Sequence, residues 1–418
     1  AIASAPKRLS AEYTTPLLAH ATMEPPVALV SVTKDGCEAW APNQNPQAAR
    51  DTVAAALGLE KGQVKIHTTL LGGGFGRKSK PDFIAEAALV SREVKAPVQV
   101  VWTREDDIRH DYYHAPAAIR CEAGLDAKGQ LQGWLLRSAF STITSTFALG
   151  SDQAAPFELM MGVTDLPYAS DDLRCESCPA PAHVRIGWLR SVCNIFHVFG
   201  TSSFLDELAH LAGIDPAEFL LKALGKPRLL DLGSGTNYPN YGKSLKEFPI
   251  DIGRLRGVIE AVKESAWGRK LPAGHGLGIA AHRSFHAYVA VVVEASVSKG
   301  GEVWVHRVDV VIDLGTVINP DRVRAQMEGS VVFGLSLALE SEITTKAGQV
   351  VQSNFHDYPV QRMHKAPKTI KVTIVESDLP PGGAGEPGVP PIAPAVANAI
   401  FAACGQRLRD LPLRPKAQ

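Results

Sequence analysis

Residues 288–297 and 302–312 form two nearly unbroken runs of apolar and β-branched side chains, parted by a Lys299-Gly300-Gly301 turn. A strand that is apolar on both faces cannot lie on a surface, so this hairpin must sit inside a sheet covered by other elements. Similar turns close other hairpins at Lys34-Asp35-Gly36, Asp126-Ala127-Lys128-Gly129 and Lys346-Ala347-Gly348. Helix-like segments fall at 47–57, 81–94, 202–212, 216–222, 252–265, 322–339 and 394–403. This alternation predicts an α+β fold of two α/β halves with mixed and antiparallel sheets. A chain of 418 residues, 45% of them hydrophobic, is long enough to bury cores for both halves. The Gly-, Pro-, Asn- and Ser-rich stretch from Gly225 to Lys246 marks the junction, which predicts a first half over 1–225, a linking region over 226–270 and a second half over 271–418.

Several function classes fall away early. Lys and Arg together number 43 and so do Asp and Glu, so no bulk field favours nucleic acid or an anionic membrane. No run approaches a transmembrane span. The start, Ala1-Ile2-Ala3-Ser4-Ala5-Pro6, lacks the basic and apolar regions of a signal peptide, although its small residues suit what a cleavage leaves behind. Of six cysteines only Cys175 and Cys178 have ligand-like spacing. A closed zinc or iron–sulfur site needs two further ligands, so a local disulfide or free thiols is the better reading.

Two glycine-rich loops carry the candidate chemistry. In Pro380-Pro381-Gly382-Gly383-Ala384-Gly385-Glu386-Pro387-Gly388 one carboxylate sits among residues that solvate it poorly. Such surroundings disfavour its charged form and raise its pKa, which suits a general base. The competing reading is an exposed turn glutamate. The second loop, Leu71-Gly72-Gly73-Gly74-Phe75-Gly76-Arg77-Lys78, lies between a β-branched stretch and a helix-like one. Strand, bare-amide loop and helix N-terminus together form an anion-binding layout. The P-loop pattern would need glycine at 77, where the chain has Arg77, and the dinucleotide fingerprint fails at the same place. A nucleotide triphosphatase and a dinucleotide-dependent dehydrogenase are both disfavoured.

The motifs His20-Ala21-Thr22-Met23-Glu24-Pro25, Pro42-Asn43-Gln44-Asn45-Pro46, the loop 72–78, Asp313-Leu314-Gly315 with Asn319-Pro320, Gln326-Met327-Glu328-Gly329 and Gly385-Glu386-Pro387 follow one another in chain order. As a set they resemble the molybdopterin-binding large subunit of the xanthine oxidase family of molybdenum hydroxylases. The phrases Gln352-Ser353-Asn354-Phe355-His356-Asp357-Tyr358-Pro359 and Pro390-Pro391-Ile392-Ala393-Pro394 are similar to the branch of isoquinoline 1-oxidoreductase beta subunits. The resemblance runs from Tyr13 to Leu413.

The resemblance implies roles for individual residues. Glu386 matches the active-site base, and Gln44 the glutamine that hydrogen-bonds an oxo-type ligand of the metal. Gly73, Gly74, Phe75 and Gly76 match the loop whose amides face those ligands, with Phe75 also on the substrate side. Arg77 and Lys78 would neutralise phosphate, and Gln326 and Gly385 would contact the pterin. Read without the family, Gln326 is a surface helix residue. Arg190 matches a substrate-side arginine, but Gly187-Trp188-Leu189-Arg190-Ser191 departs from the Arg-Gly-Phe-Gly pattern of purine-oxidising members. A purine substrate is therefore disfavoured, and a surface cation is the other reading of Arg190.

The implied cofactor is molybdopterin in its cytosine dinucleotide form, whose dithiolene holds molybdenum without any protein ligand. The implied reaction inserts a water-derived oxygen into an N-heteroaromatic ring or an aldehyde, with Phe75, Trp188 and Phe285 as candidate pocket walls. Electrons would pass to iron–sulfur clusters on a partner chain, a two-iron two-sulfur subunit, with a cytochrome beyond it. The family's Met-Gly-Gln-Gly loop and hammerhead domain do not occur in these residues, so another chain or fragment is expected to supply them. The family setting is a periplasmic or membrane-associated complex, with a cytoplasmic one as the alternative. A non-catalytic scaffold or inactive fragment is the other reading, and it needs neither Gln44 nor Glu386.

Overall fold

Residues Ala287–Val297 and Val303–Asp313 pair antiparallel, as their apolar patterns demand, and the first strand is buried along nearly its whole length. The computed structural model describes residues 1–170 and 172–417. Its first part runs β1 (Lys7–Thr15), β2 (Val27–Thr33), β3 (Gly36–Ala41), α1 (Pro46–Leu57), β4 (Val64–Thr68), α2 (Asp82–Val94), β5 (Val98–Val101) and α3 (Arg104–Arg109). There follow β6 (Ala117–Leu125), β7 (Leu131–Phe140), α4 (Pro156–Leu159), β8 (Leu173–Cys178), α5 (Asn194–Ala212), α6 (Pro216–Leu224) and α7 (Ile252–Ala266). The last part holds β9 (His275–Ser284), β10 (Ala287–Val297), β11 (Val303–Asp313), α8 (Pro320–Leu339), β12 (Thr345–Lys346), β13 (Gln349–Val350), β14 (Thr369–Ile374) and α9 (Ile392–Cys404).

Three four-stranded sheets organise the molecule, in the orders β4-β3-β2-β5, β1-β6-β7-β8 and β14-β11-β10-β9. Each is mixed, because one parallel pair (β3 with β4, β7 with β8, β11 with β14) joins otherwise antiparallel neighbours. The four glycine turns close β2–β3, β6–β7, β10–β11 and β12–β13. The small sheet β4-β3-β2-β5 has its own core with α1 and α2, centred on Val30, Val53, Phe83 and Ile84. The other two sheets share one large core.

Helix α5 is the pillar between those two sheets. Sixteen of its 19 residues are buried, and it packs on β1 and β6 on one side and on β9 and α9 on the other. Periodicity predicts this helix only over 202–212, yet it begins at Asn194. A helix buried all round has no polar stripe, and its aromatic and β-branched first turns read as strand. Gly200 permits the contact with β6, since a Cβ there would lie 2.8 Å from Ile119 Cγ2. The short helix α3, capped by Thr103 and Asp106, has no counterpart in the sequence reading. The region 226–270, expected to link the halves, contains α7, whose Ile252, Leu255, Val258, Ile259 and Val262 enter the large core.

Strand parity separates the helices that cover β10. Gly278 of β9 lies opposite Val293 and against α9, whereas Tyr288, of the other parity, bonds through its hydroxyl to Pro249 O and Asp251 N at the start of α7. Helices α7 and α9 therefore lie on opposite faces, which explains why β10 is apolar on both faces from Ala287 to Val293. Cys175 and Cys178 are free thiols on β8. Three residues apart on a strand, they point to opposite faces and cannot pair. No helix among the described residues is long and apolar enough to cross a membrane.

The α9 contact generates a prediction. A Cβ at Gly278 would fall 2.0 Å from Ala395 O and 2.4 Å from Ala399 N, both backbone atoms of α9. Gly278→Ala should cost about 2–4 kcal/mol in chemical unfolding. Gly257→Ala, in α7 with open space around the new methyl, should be neutral or stabilising by about 0.5–1 kcal/mol.

Candidate active site

The two glycine-rich loops meet along a third segment, 187–192. From the first loop, Phe75 O accepts from Arg190 N at 2.9 Å, and a Cβ on Gly76 would lie 1.8 Å from Trp188 O. From the second, Gly385 O accepts from Arg190 Nε at 2.6 Å, and Glu386 Oε2 accepts from Ser191 N at 2.7 Å. Ser191 Oγ donates to Glu386 O at 2.7 Å, so both ends of this glutamate are held by one serine. Neither Ser191 nor Val192 is glycine, yet their φ values are 82° and 49°. Such left-handed backbone persists only where its surroundings enforce it.

The loop that carries Glu386 is braced from below. Gly382 N donates to Leu314 O, Gly383 N to Phe285 O, and Thr316 N to Leu379 O. Gly315 has φ 76°, and a Cβ there would meet Pro380 O at 2.2 Å. That contact accounts for glycine in the Asp313-Leu314-Gly315 motif. Burial pushes the Glu386 carboxyl pKa upward, and the Ser191 amide and the Arg190 charge offset only part of the rise. Oε2 is occupied, while Oε1 has no partner among the described residues.

Arg190 is tied to protein rather than held free. Besides Gly385 O, its guanidinium donates to Gln326 Oε1 at 2.9 Å and to Ser330 Oγ at 2.9 Å, both on α8. It clamps the glutamate loop to α8, while its Nη1 has no hydrogen-bond partner among the described residues. Gln326 is exposed, as a surface helix residue would be, but Arg190 fixes its carbonyl oxygen and leaves the amide NH2 group outward. Asn319 caps α8 by accepting from Arg322 N at 3.1 Å, ahead of Pro320.

In the first loop, Gln44 Oε1 accepts from Gly76 N at 3.1 Å. The acceptor end is thereby used, and the NH2 end remains as a donor. Gly74 must be glycine, since a Cβ would lie 2.4 Å from Gln44 Oε1. Phe75 has φ 53°, and its ring packs on Phe333 at 5.1 Å. Among the described residues none accepts from the amides of Gly73, Gly74 and Phe75, so three adjacent donors line the loop. Such a run of unpaired amides offers donors to an anion.

Arg77 and Lys78 do not face a phosphate. Arg77 is fully buried, bonded to both oxygens of Asp82 at 2.8 and 2.9 Å, and lies 3.0 Å from Asp111 Oδ1. Lys78 is buried against Glu24 Oε2 at 2.5 Å, and the same oxygen accepts from Gly72 N at 2.9 Å. Expecting them to neutralise phosphate mistook local sequence for exposure. Of the carboxylates that claim them, Asp82 lies five residues along the chain from Arg77, while Glu24 and Asp111 are brought in by the fold. The same holds for His20, Glu24, Ser191 and Ser330, which sequence reasoning assigned no role. Only the motif around His20 and Glu24 gave any signal. Among the described residues no three His, Cys, Asp or Glu side chains gather as a metal site.

Residues 1–224 and 262–367 match two models, each described as a molybdopterin cofactor-binding domain. The chain is 31% identical to the beta subunit of isoquinoline 1-oxidoreductase from Brevundimonas diminuta, over 97% of this chain and 50% of that protein. It is also 31% identical to one of the subunits of nicotinate dehydrogenase from Pseudomonas putida, over 99% of this chain and 35% of that protein. A membrane-bound aldehyde dehydrogenase of Gluconacetobacter polyoxogenes is again 31% identical, over 99% of this chain and 54% of that protein. The chain thus spans about half, or less, of these curated relatives. Its fold matches that of the aldehyde oxidoreductase from Desulfovibrio gigas at a TM-score of 0.79 and 16% identity, over 99% of this chain and 61% of that one.

The ion pairs behind the loops generate a prediction. Asp111→Asn would remove the buried carboxylate that faces both His20 and Arg77, leaving Arg77 to Asp82 alone, and should cost about 3–5 kcal/mol in equilibrium unfolding. A loss below about 1 kcal/mol would show that Asp111 does not hold the seam together.

Proposed function

The chain belongs to the xanthine oxidase family of molybdenum hydroxylases, and from that premise we propose that it forms the molybdopterin-binding part of an enzyme that oxidises an N-heteroaromatic substrate with oxygen from water. The observation that carries this reading is the junction of Glu386, with a raised pKa and a free Oε1, with three unpaired amides and the free NH2 of Gln44 along one segment.

The residues fit the implied group. The run of Gly73, Gly74 and Phe75 amides and the Gln44 NH2 supply donors for oxygen-rich ligands and phosphate, and Gln326 offers a further NH2 group from α8. When bound, molybdopterin supplies molybdenum on its own sulfur ligands and the capacity to take two electrons from substrate. The protein's part is a proton and a position. Glu386 takes a proton at Oε1 while Ser191 N holds Oε2, so the carboxylate cannot rotate away. Its raised pKa makes the ionised form a stronger base than an ordinary glutamate and the protonated form easier to reach. Arg190 keeps this loop against α8, and Phe75, Trp188 and Phe285 are the candidate walls of the substrate pocket.

The finer reading is a cytosine dinucleotide form of the cofactor, electron transfer to a two-iron two-sulfur partner and a cytochrome, a further chain or segment completing the cofactor site, and an exported complex. Aldehyde oxidation is the second reading, since identity to the aldehyde dehydrogenase equals that to the two heteroaromatic-oxidising relatives.

In the intact complex, Glu386→Gln should lower kcat by about 10²–10⁴-fold with molybdenum content unchanged by elemental mass spectrometry. The base must be ionised, so wild-type kcat/KM should rise with pH through a limb above the ordinary glutamate range of about 4.3, and the variant should lack that limb. Wild-type activity in Glu386→Gln would remove it as the base. A substrate panel on the same complex separates heteroaromatic from aldehyde oxidation, and molybdenum-free, inactive complex would favour the scaffold.

A further inference from the structure

His20 is buried between two acceptors. Its Nδ1 lies 2.8 Å from Asp111 Oδ2 and its Nε2 lies 2.6 Å from the Trp188 carbonyl oxygen. A carbonyl oxygen only accepts, so Nε2 carries a proton. Asp111 also receives the His20 backbone N–H at 2.7 Å and the Tyr112 N–H at 2.7 Å, with Arg77 Nε at 3.0 Å. Two N–H donors and the buried Arg77 charge beside it favour the ionised carboxylate, and an ionised carboxylate facing Nδ1 requires a proton there as well. Burial works against the charge on Asp111, but His20 and Arg77 outweigh it and hold its pKa below the usual carboxylate range. The surrounding charges are Asp111 and Arg77 in contact, with Asp107, itself paired with Arg104, and His114 further out. A neutral ring would turn a lone pair on one of the two acceptors and leave it unsatisfied in the interior.

Trp188 O is the carbonyl against which Gly76 packs. Two residues on, Arg190 N meets Phe75 O, and three residues on, the Ser191 amide holds Glu386 Oε2. The intervening backbone, left-handed at Ser191 and Val192, has a hydrogen bond of its own from Val192 N to Leu189 O at 2.7 Å and otherwise depends on contacts from outside the segment.

We infer that His20 is an imidazolium that acts as a positioning residue for Glu386, fixing the 187–192 segment through the Trp188 carbonyl. This inference rests on the reading of Glu386 as base.

The test uses the intact complex with ¹⁵N-labelled histidine rings. The signal lost in His20→Gln should have both ring nitrogens protonated at neutral pH in the wild type. Amide exchange read by mass spectrometry should be about ten- to a hundredfold faster over 187–192 in His20→Gln and unchanged elsewhere. The same variant should lose about ten- to a hundredfold in kcat at unchanged KM and molybdenum content. His20→Lys, which keeps a donor cation, should lie between the two and serves where the glutamine variant does not fold. A neutral His20 ring, unaltered exchange over 187–192, or a lysine variant no better than the glutamine one overturns the inference. Ring state and exchange are read without turnover, so they stand apart from the activity reading. An active Glu386→Gln complex would sink that reading and the inference together, whereas a neutral ring sinks the inference alone.

Discussion

The buried carboxylate of Asp111 is the interaction on which the site depends. It accepts from the backbone and faces the ring of His20, accepts from the amide of Tyr112, and is ion-paired with Arg77 from the glycine loop. Arg77 is further held by Asp82 and lies over the rings of Trp102 and Tyr112, each at 5.2 Å. Buried ion pairs add little net stability when compared with an apolar core, because desolvation cancels most of the attraction. Their effect is to reject alternatives: any slippage of the loop strands a charge. The network thus sets the register of the 72–78 loop against the 187–192 segment, and through Ser191 that register reaches Glu386.

Strain concentrates along the same seam. Ala21, Phe75, Ser191, Val192, Phe285 and His286 all have positive φ without being glycine. Each costs on the order of 1–3 kcal/mol, a burden that the sheets and α5 behind them must offset. The return is preorganisation. Amides of Gly73 to Phe75, the NH2 of Gln44 and the carboxylate of Glu386 are oriented by protein contacts alone, so binding need not reorient them. The C-terminal motifs serve the same end from outside: Tyr358 OH donates to Ala19 O, and Asp357 accepts from Ser353 N and Asn354 N.

Much of the fold was legible because its signals are local. Glycine turns closed four of the five hairpins, the exception being β9–β10, whose turn is Phe285-His286 with φ 50° and 65°, and the doubly apolar strand at 288–297 needs helices on both faces, which α7 and α9 provide. The first two turns of α5 were illegible for the opposite reason. Burial on every side erases the periodicity by which a helix is recognised.

By itself the sequence determined which groups are available for chemistry. It held an isolated carboxylate at Glu386, a bare-amide loop at Gly72 to Gly76 and an amide side chain at Gln44, each set by its immediate neighbours. Tertiary structure decided what those groups can do, because function here depends on contacts between residues far apart in the chain. The Ser191 amide reaches Glu386 across 195 residues, and Arg190 reaches Gln326 across 136. Two cations that look free beside a glycine loop, Arg77 and Lys78, are consumed by carboxylates, of which Glu24 and Asp111 are brought near only by folding. Exposure and pairing are properties of the packed interior, and a local pattern of residues does not fix them.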